Sequence, residues 1–297
     1  MRILWVVANQ QTAELVALGD ALRQQVSLDI LPLQLGLAQL RQVGQLLRTD
    51  ADIVHVFGTV SPYLLRAIKW WKPRMQLVQS GGDPSNSAHF IAFEPSDVEH
   101  AKHQLPAERI TVLPFSFQPL TLNQLPQVGR RLIVSVSLAQ KELGRHAIWA
   151  FDVLRHTDPT LQLVIHGQGK AGPWLEGFAK SLAWDDLRVT ITDSPLSLHS
   201  SDLAWSLSPV GGTAFALQAA SLGVPMLAIP NPDLQALQTY CPELEFSESA
   251  DPVSLAKHTL ERLRTGQSVH QCSELVEEFS IQKMASALLS VYNKLSR

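Results

Sequence analysis

Residues suited to holding a diphosphate occur at three places in the C-terminal half of this 297-residue chain. The first is "SPVGGTAFALQAASLGVPMLAIP" (208–230), where Gly211, Gly212 and Thr213 open a run of small helix formers and Gly223-Val224-Pro225 ends it. Exposed amides at a helix start form an anion site, and glycines let a phosphate approach the backbone. A tight strand-to-helix turn that binds nothing fits the same letters equally well. The second place is His166-Gly167-Gln168-Gly169-Lys170, where Gly167 permits close approach; taken alone it reads as a plain turn. The third is the pair Lys141 and Arg145 on either side of Gly144, cations that either pair with a diphosphate or cover a solvated helix face. Two backbone anion sites and a cation pair share one chemistry, and that agreement favours the diphosphate.

Short apolar, β-branched runs precede each of these places. In the C-terminal half they are 132–137, 161–167, 188–193, 203–208 and 225–230. The N-terminal half carries similar runs at 2–8, 26–33, 51–58, 74–80, 90–93 and 109–115, with three- and four-residue apolar spacing in "TAELVALGDALRQQ", "LAQLRQVGQLLRT" and "SPYLLRAIKWW". Strands apolar on both faces, separated by helices, predict parallel sheets covered on both sides. A polar stretch rich in Pro and Gln at 118–131 interrupts the alternation and reads as a linker. The expectation is an α/β chain of two Rossmann-like domains with a cleft between them, ligands lying at the carboxyl ends of the strands.

Composition excludes several classes. A hydrophobic content of 45% with 17% charged residues describes a packed globular chain, and a net charge of -3 gives no electrostatic reason to expect nucleic acid as a partner. The two cysteines, Cys241 and Cys272, have neither disulfide-framework nor metal-ligand spacing. No apolar stretch approaches the length of a transmembrane segment, and the N-terminus lacks a signal-peptide pattern, so a soluble cytoplasmic protein is expected.

The C-terminal wording resembles the group-1 glycosyltransferases of the GT-B fold, family 4-like. "RLIVSVSLAQKELGRHAIWAF" looks like that family's first C-domain strand, basic loop and helix, and "PTLQLVIHGQG" like its next strand and G-x-G turn. "LHSSDLAWSLS" followed by "GGTAFALQAASLGVPMLAIP" resembles its donor-binding strand and helix, and "FSIQKMASALLSVYNKL" its closing helix. In the N-terminal half "ADIVHVFG" and "AERITVLPF" match family strands in position; the glycine turn over Gly-Val-Pro also resembles that of lipid-linked GT-B enzymes. The resemblance implies an acceptor-side domain at 1–122, a nucleotide-sugar donor domain at 130–280, and a helix over 281–297 returning to the first domain. It implies metal-independent, retaining sugar transfer without a cofactor, from a nucleotide-sugar donor to a glycan, lipid or small-molecule acceptor. Lys141 and Arg145 would then hold the phosphates, Gly211, Gly212 and Thr213 would donate hydrogen bonds, and Gln218 would hold the ribose.

The chain also departs from the family pattern. The Glu-x7-Glu signature falls on Val210 and Gln218, so the carboxylate that contacts the transferred sugar is missing and the ribose partner is uncharged. The family's basic-loop Arg falls near Leu138, and its Asn-Gly after the sixth strand on Phe115-Ser116. The family's N-domain His is Ser80, with Asp83 retained; these two are the candidates for a catalytic role. Losing those groups favours an alternative, a catalytically inactive homologue that binds a nucleotide sugar or a partner protein.

Other residues have structural expectations. His55 reads as a satisfied core histidine, and His89 and His166 have no carboxylate partner in sequence. The Trp70-Trp71 pair is expected to cap its helix against the core, with an acceptor platform as the minority reading. The row Glu94, Asp97, Glu99, His100 and His103 is expected on a solvated helix face.

Overall fold

The structure, a computed structural model, describes all residues except 9–12, 34–43, 45–47, 114–129, 138–140, 168, 183–187, 194–197, 200–201, 210, 242–243, 266–272 and 297. The expected linker over 118–131 up to its last two residues, most of the helical pattern at 37–49, and the signature positions Val210, Leu138 and Phe115-Ser116 fall in these gaps; Arg131, placed in the linker, begins a strand instead. Two compact units make up the chain. One comprises Met1–Gln118 with Glu277–Arg297, the other Pro119–Val276.

In the first unit the chain runs β1 (Arg2–Ala8), α1 (Ala13–Arg23), β2 (Ser27–Leu33), β3 (Ile53–Phe57), α2 (Pro62–Trp71), β4 (Gln76–Ser80), β5 (His89–Ala92), α3 (Pro95–Lys102) and β6 (Ile110–Val112). The six strands form one parallel sheet in the order β2-β1-β3-β4-β5-β6. Every residue of β3 is buried, as expected of a strand covered on both faces.

The second unit continues with β7 (Arg131–Ser135), α4 (Lys141–Arg155), β8 (Gln162–His166), α5 (Gly172–Ser181), β9 (Val189–Thr192), β10 (Leu203–Ser206), α6 (Thr213–Ser221), β11 (Met226–Ala228), α7 (Pro232–Leu237), β12 (Glu245–Phe246), α8 (Pro252–Thr265) and α9 (Ser273–Glu278). Its sheet is also parallel, in the order β12-β11-β10-β7-β8-β9. Counted within this unit, that is the 3-2-1-4-5-6 winding of a Rossmann domain, whose strand order reverses between β7 and β10. Each apolar run predicted from sequence is a strand. The two-residue edge strand β12 is an addition, too short to leave a periodic signal.

The last helix, α10 (Ile281–Leu295), belongs to the first unit. Ser280 caps it, its hydroxyl oxygen accepting the Lys283 N–H at 3.3 Å. Ile281, Met284, Ala285, Leu288, Val291 and Tyr292 are its buried positions, the three-and-four spacing of one helical face. They join Leu18 and Leu22 of α1 and Trp5 and Ile53 of the sheet in one core. In the second unit Leu132, Val134, Phe151, Leu163 and Trp205 are central to the core, and the Trp205 indole N–H donates to Thr259 Oγ1 at 3.1 Å. Among the described residues, no helix is long and apolar enough to cross a membrane.

Candidate functional site

The reversal of strand order between β7 and β10 leaves a crevice at the carboxyl ends of those strands, because the connections leave in opposite directions there. Both strand ends lead to predicted residues. β7 runs toward Lys141 at the start of α4, and β10 ends at Ser206 before the Gly211-Gly212-Thr213 turn and α6. β8, beside β7, ends at His166 and leads to Gly167. All these strands are parallel, so the three places share one edge of the sheet.

The β10–α6 turn depends on its glycines. Gly211 and Gly212 have φ of 73° and 91°, left-handed conformations that L side chains rarely adopt. At Gly212 space forbids a side chain as well: a Cβ there would stand 2.6 Å from Ser206 Oγ. A framework from the β11–α7 connection holds the turn in shape. The Asn231 side-chain amide donates to the carbonyls of Ser208 (2.9 Å) and Gly211 (3.3 Å), while its Oδ1 accepts the Leu234 N–H at 2.8 Å. The Gly211 N–H donates to Asp233 Oδ2 at 2.8 Å, so that amide is engaged within the protein. Gly212 is the N-cap of α6 and offers no side chain to the amides of the first turn.

Two hydroxyls stand out at this turn. Ser206 Oγ, in a side chain with no exposure, and Thr213 Oγ1, 5% exposed, have no hydrogen-bond partner among the described residues. Leaving a buried hydroxyl unsatisfied costs about 1–3 kcal/mol. Two such groups stand beside a helix N-terminus, each with a hydrogen-bonding capacity that nothing among the described residues meets. The sequence reading missed Ser206, Asn231 and Asp233. Asn231 and Asp233 carried a usable signal, since "NPD" after an apolar run is a helix-start pattern; Ser206 carried none.

The cations are engaged by neighbouring side chains. Lys141 Nζ lies 5.3 Å from the centroid of the Trp174 ring. Arg145 pairs with Glu142 and stacks its guanidinium 4.8 Å from the Trp149 centroid. Lys141 is the first residue of α4, where the helix dipole disfavours a cation by about 0.3–1 kcal/mol. Gly144 serves packing: a Cβ there would meet Leu175 Cδ1 at 2.6 Å. Gly167 is buried and its N–H donates to the Thr192 carbonyl at 3.1 Å, leaving close approach as what it can offer a ligand. Gln218 lies half-buried farther along α6.

In the first unit, Ser80 and Asp83 flank Gly81-Gly82 at the end of β4 and face different surroundings. Asp83 is exposed and its carboxylate accepts the Ser85 N–H at 3.0 Å, which lowers its pKa first of all. Ser80 is buried, with Oγ 2.8 Å from His55 Nε2. His55 Nδ1 lies 2.5 Å from the Tyr292 hydroxyl, which accepts the Trp5 indole N–H at 3.1 Å. Burial pushes the Tyr292 phenol pKa up, so it keeps its proton and donates to Nδ1. Burial, with a smaller push from His89, lowers the His55 pKa to about 3. A neutral His55 then carries its proton on Nε2 and donates to Ser80. His55 is thus a satisfied core histidine, and Ser80 is the end of a buried hydrogen-bond chain. Trp70 overturns its expectation: it is 79% exposed, because the helix packs through Leu64, Leu65 and Ile68 instead. Among the described residues no three His, Cys, Asp or Glu side chains converge as a metal site requires.

The sequence matches no protein-family model, and no curated protein matches it. Solved structures do. A glycosyltransferase from Rickettsia africae aligns at TM-score 0.75 and 11% identity, over 99% of this chain and 98% of that one. HepE of Anabaena, in complex with UDP and glucose, aligns at TM-score 0.70 and 13% identity over 98% and 99%. A UDP-GlcNAc 2-epimerase of Neisseria meningitidis bound to UDP-GlcNAc aligns at TM-score 0.61 and 11% identity over 99% and 100%. At these identities the likeness establishes the fold. The chain has the GT-B fold, built of two Rossmann-like domains.

Proposed function

We propose that the protein is a glycosyltransferase, taking a sugar from a nucleotide-sugar donor bound at the carboxyl edge of the second unit. The observation that carries this reading is the pair of buried, unsatisfied hydroxyls, Ser206 Oγ and Thr213 Oγ1, beside the start of α6 at the strand-order reversal. A diphosphate supplies oxygens for both hydroxyls and for the free amides of the helix start, and its charge suits the dipole there. The similar structures named above include proteins bound to UDP or a UDP-sugar.

Lys141 is the cation assigned to the phosphates. A cation–π contact at an exposed site is worth about 0.5–1 kcal/mol, less than the roughly 1.5–3 kcal/mol of a hydrogen bond to a charged group. A diphosphate therefore draws the ammonium off Trp174. Arg145 adds positive charge one helical turn farther on, and Gln218 is assigned to the ribose. Transfer on this reading is metal-independent and retaining, with cations and helix amides stabilising the departing diphosphate.

A second reading, a non-catalytic binding protein, is favoured by Val210 and Gln218 at the positions of the two signature carboxylates. A binding screen of nucleoside diphosphates and nucleotide sugars, followed by a hydrolysis assay on each donor that binds, separates the two. Turnover of a donor supports transfer, and the Val210→Glu variant is expected to raise it by restoring a sugar contact. Binding without turnover in either form supports the second reading. The absence of binding contradicts transfer and leaves the second reading as a module that binds a partner protein.

A further inference from the structure

Helix α2 exposes two large aromatic side chains, Tyr63 at 80% and Trp70 at 79%. They are seven residues apart, two helical turns, so both rings lie on one stripe about 10 Å long. Arg66, also exposed, falls on the same stripe between them. Leu64, Leu65 and Ile68 anchor the opposite side in the first unit's core, so the stripe is held on a fixed helix.

The segment that carries the stripe holds charge of a single sign. Residues 53–82 contain Arg66, Lys69, Lys72 and Arg74 and neither Asp nor Glu, in a chain whose net charge is -3. Arg109 comes close enough to Lys69 to add to the lowering of its pKa that burial begins. The helix and the turn after it are therefore locally basic although the chain as a whole is weakly acidic.

We propose that α2 docks the protein on an anionic lipid surface, with Tyr63 and Trp70 entering the headgroup layer and the exposed cations Arg66, Lys69 and Arg74 facing lipid phosphates. Aromatic residues of this kind sit at the bilayer–water boundary because each has an apolar body and a polar handle. Basic residues beside them add electrostatic attraction to anionic headgroups. A protein partner fits less well. Two rings at this exposure offer on the order of 300–400 Å², about half of what each side of a stable protein interface buries. The inference is independent of the nucleotide-sugar reading.

The test is co-sedimentation of the full chain with vesicles of phosphatidylcholine alone, and of phosphatidylcholine with one-third phosphatidylglycerol. Binding to the anionic vesicles is expected, with little on the neutral ones, and it should weaken steeply with added salt. The Tyr63→Ala/Trp70→Ala double variant should bind about tenfold less or weaker still, and so should Arg66→Glu/Lys69→Glu. Val253→Ala, which alters an exposed apolar side chain of the other unit, should bind like wild type. The proposal is overturned if the wild type ignores anionic vesicles, or if both double variants bind as well as it does. It is also overturned if the wild type ignores vesicles but shows concentration-dependent dimerisation or RNA retention that the variants abolish.

Discussion

Ser206 Oγ occupies the place where a side chain at Gly212 would have to stand, 2.6 Å from an ideal Cβ. The last residue of β10 and the N-cap of α6 therefore constrain each other. The absence of a side chain at Gly212 both leaves room for the Ser206 hydroxyl and permits the left-handed turn that starts the helix.

Gly212→Ala should destabilise the second unit by about 2 kcal/mol or more, since the φ of 91° alone costs about 1–2 kcal/mol for an L residue. In thermal unfolding that is a drop in Tm of roughly 4–8 °C. Ser206→Ala, by removing an unsatisfied buried hydroxyl, should be neutral or slightly stabilising by itself, and should recover part of the Gly212→Ala loss. Strictly additive effects in the double variant would contradict this geometry.

His55 makes stability depend on pH. The unfolded chain protonates this imidazole below about 6.5, whereas the folded chain resists until about 3. The unfolded state thus binds the extra proton between those values, and stability falls as pH drops, by at most about 1.4 kcal/mol per pH unit. Above pH 6.5 the contribution is fully present. Urea midpoints measured from pH 7 to 4 should fall more steeply for wild type than for His55→Gln. Equal slopes would show that His55 titrates normally in the fold.

Arg131 and Asp202 join the amino ends of β7 and β10, Nε donating to Oδ1 at 3.0 Å and Nη2 to Oδ2 at 2.7 Å. Asp202 Oδ2 also accepts the His199 N–H at 2.7 Å. Asp202 is fully buried and Arg131 largely so, and losing the carboxylate takes two charge-assisted bonds from the guanidinium, so Asp202→Ala should cost about 3 kcal/mol. Asp202→Asn, which keeps an acceptor, should cost less. A denaturation midpoint for Asp202→Ala within error of wild type would refute the assignment.

The strands were legible because parallel strands covered on both faces are short, unbroken apolar runs, as in "IVHVF". β12 was not, since two residues of an edge strand have no period. The glycine turn was legible because a left-handed backbone requires particular residue types. Ser206 was not, because a serine ending a strand carries no mark of whether its hydroxyl is satisfied. Asn231 and Asp233 reach the turn from 20 and 22 residues away through the β11 crossover, a relation that only the tertiary fold supplies. Trp70 was expected, with Trp71, to cap its helix against the core. The spacing of Leu64, Leu65 and Ile68 already fixes the buried face of α2, and Trp70, two residues beyond Ile68, falls on the opposite side.

The central claim, a diphosphate held at the α6 start, is tested most directly by titration calorimetry of nucleoside diphosphates against wild type, Thr213→Val and Lys141→Ala/Arg145→Ala. Thr213→Val removes a hydroxyl while keeping the side chain's shape, and the cation pair removes charge-assisted bonds worth about 1.5–3 kcal/mol each. At about 1.4 kcal/mol per decade, each change should weaken the diphosphate at least about tenfold. The same nucleoside without phosphates should bind all three proteins alike. A wild type that binds no nucleoside diphosphate at millimolar concentration, or variants that bind it as tightly as wild type, would contradict the account.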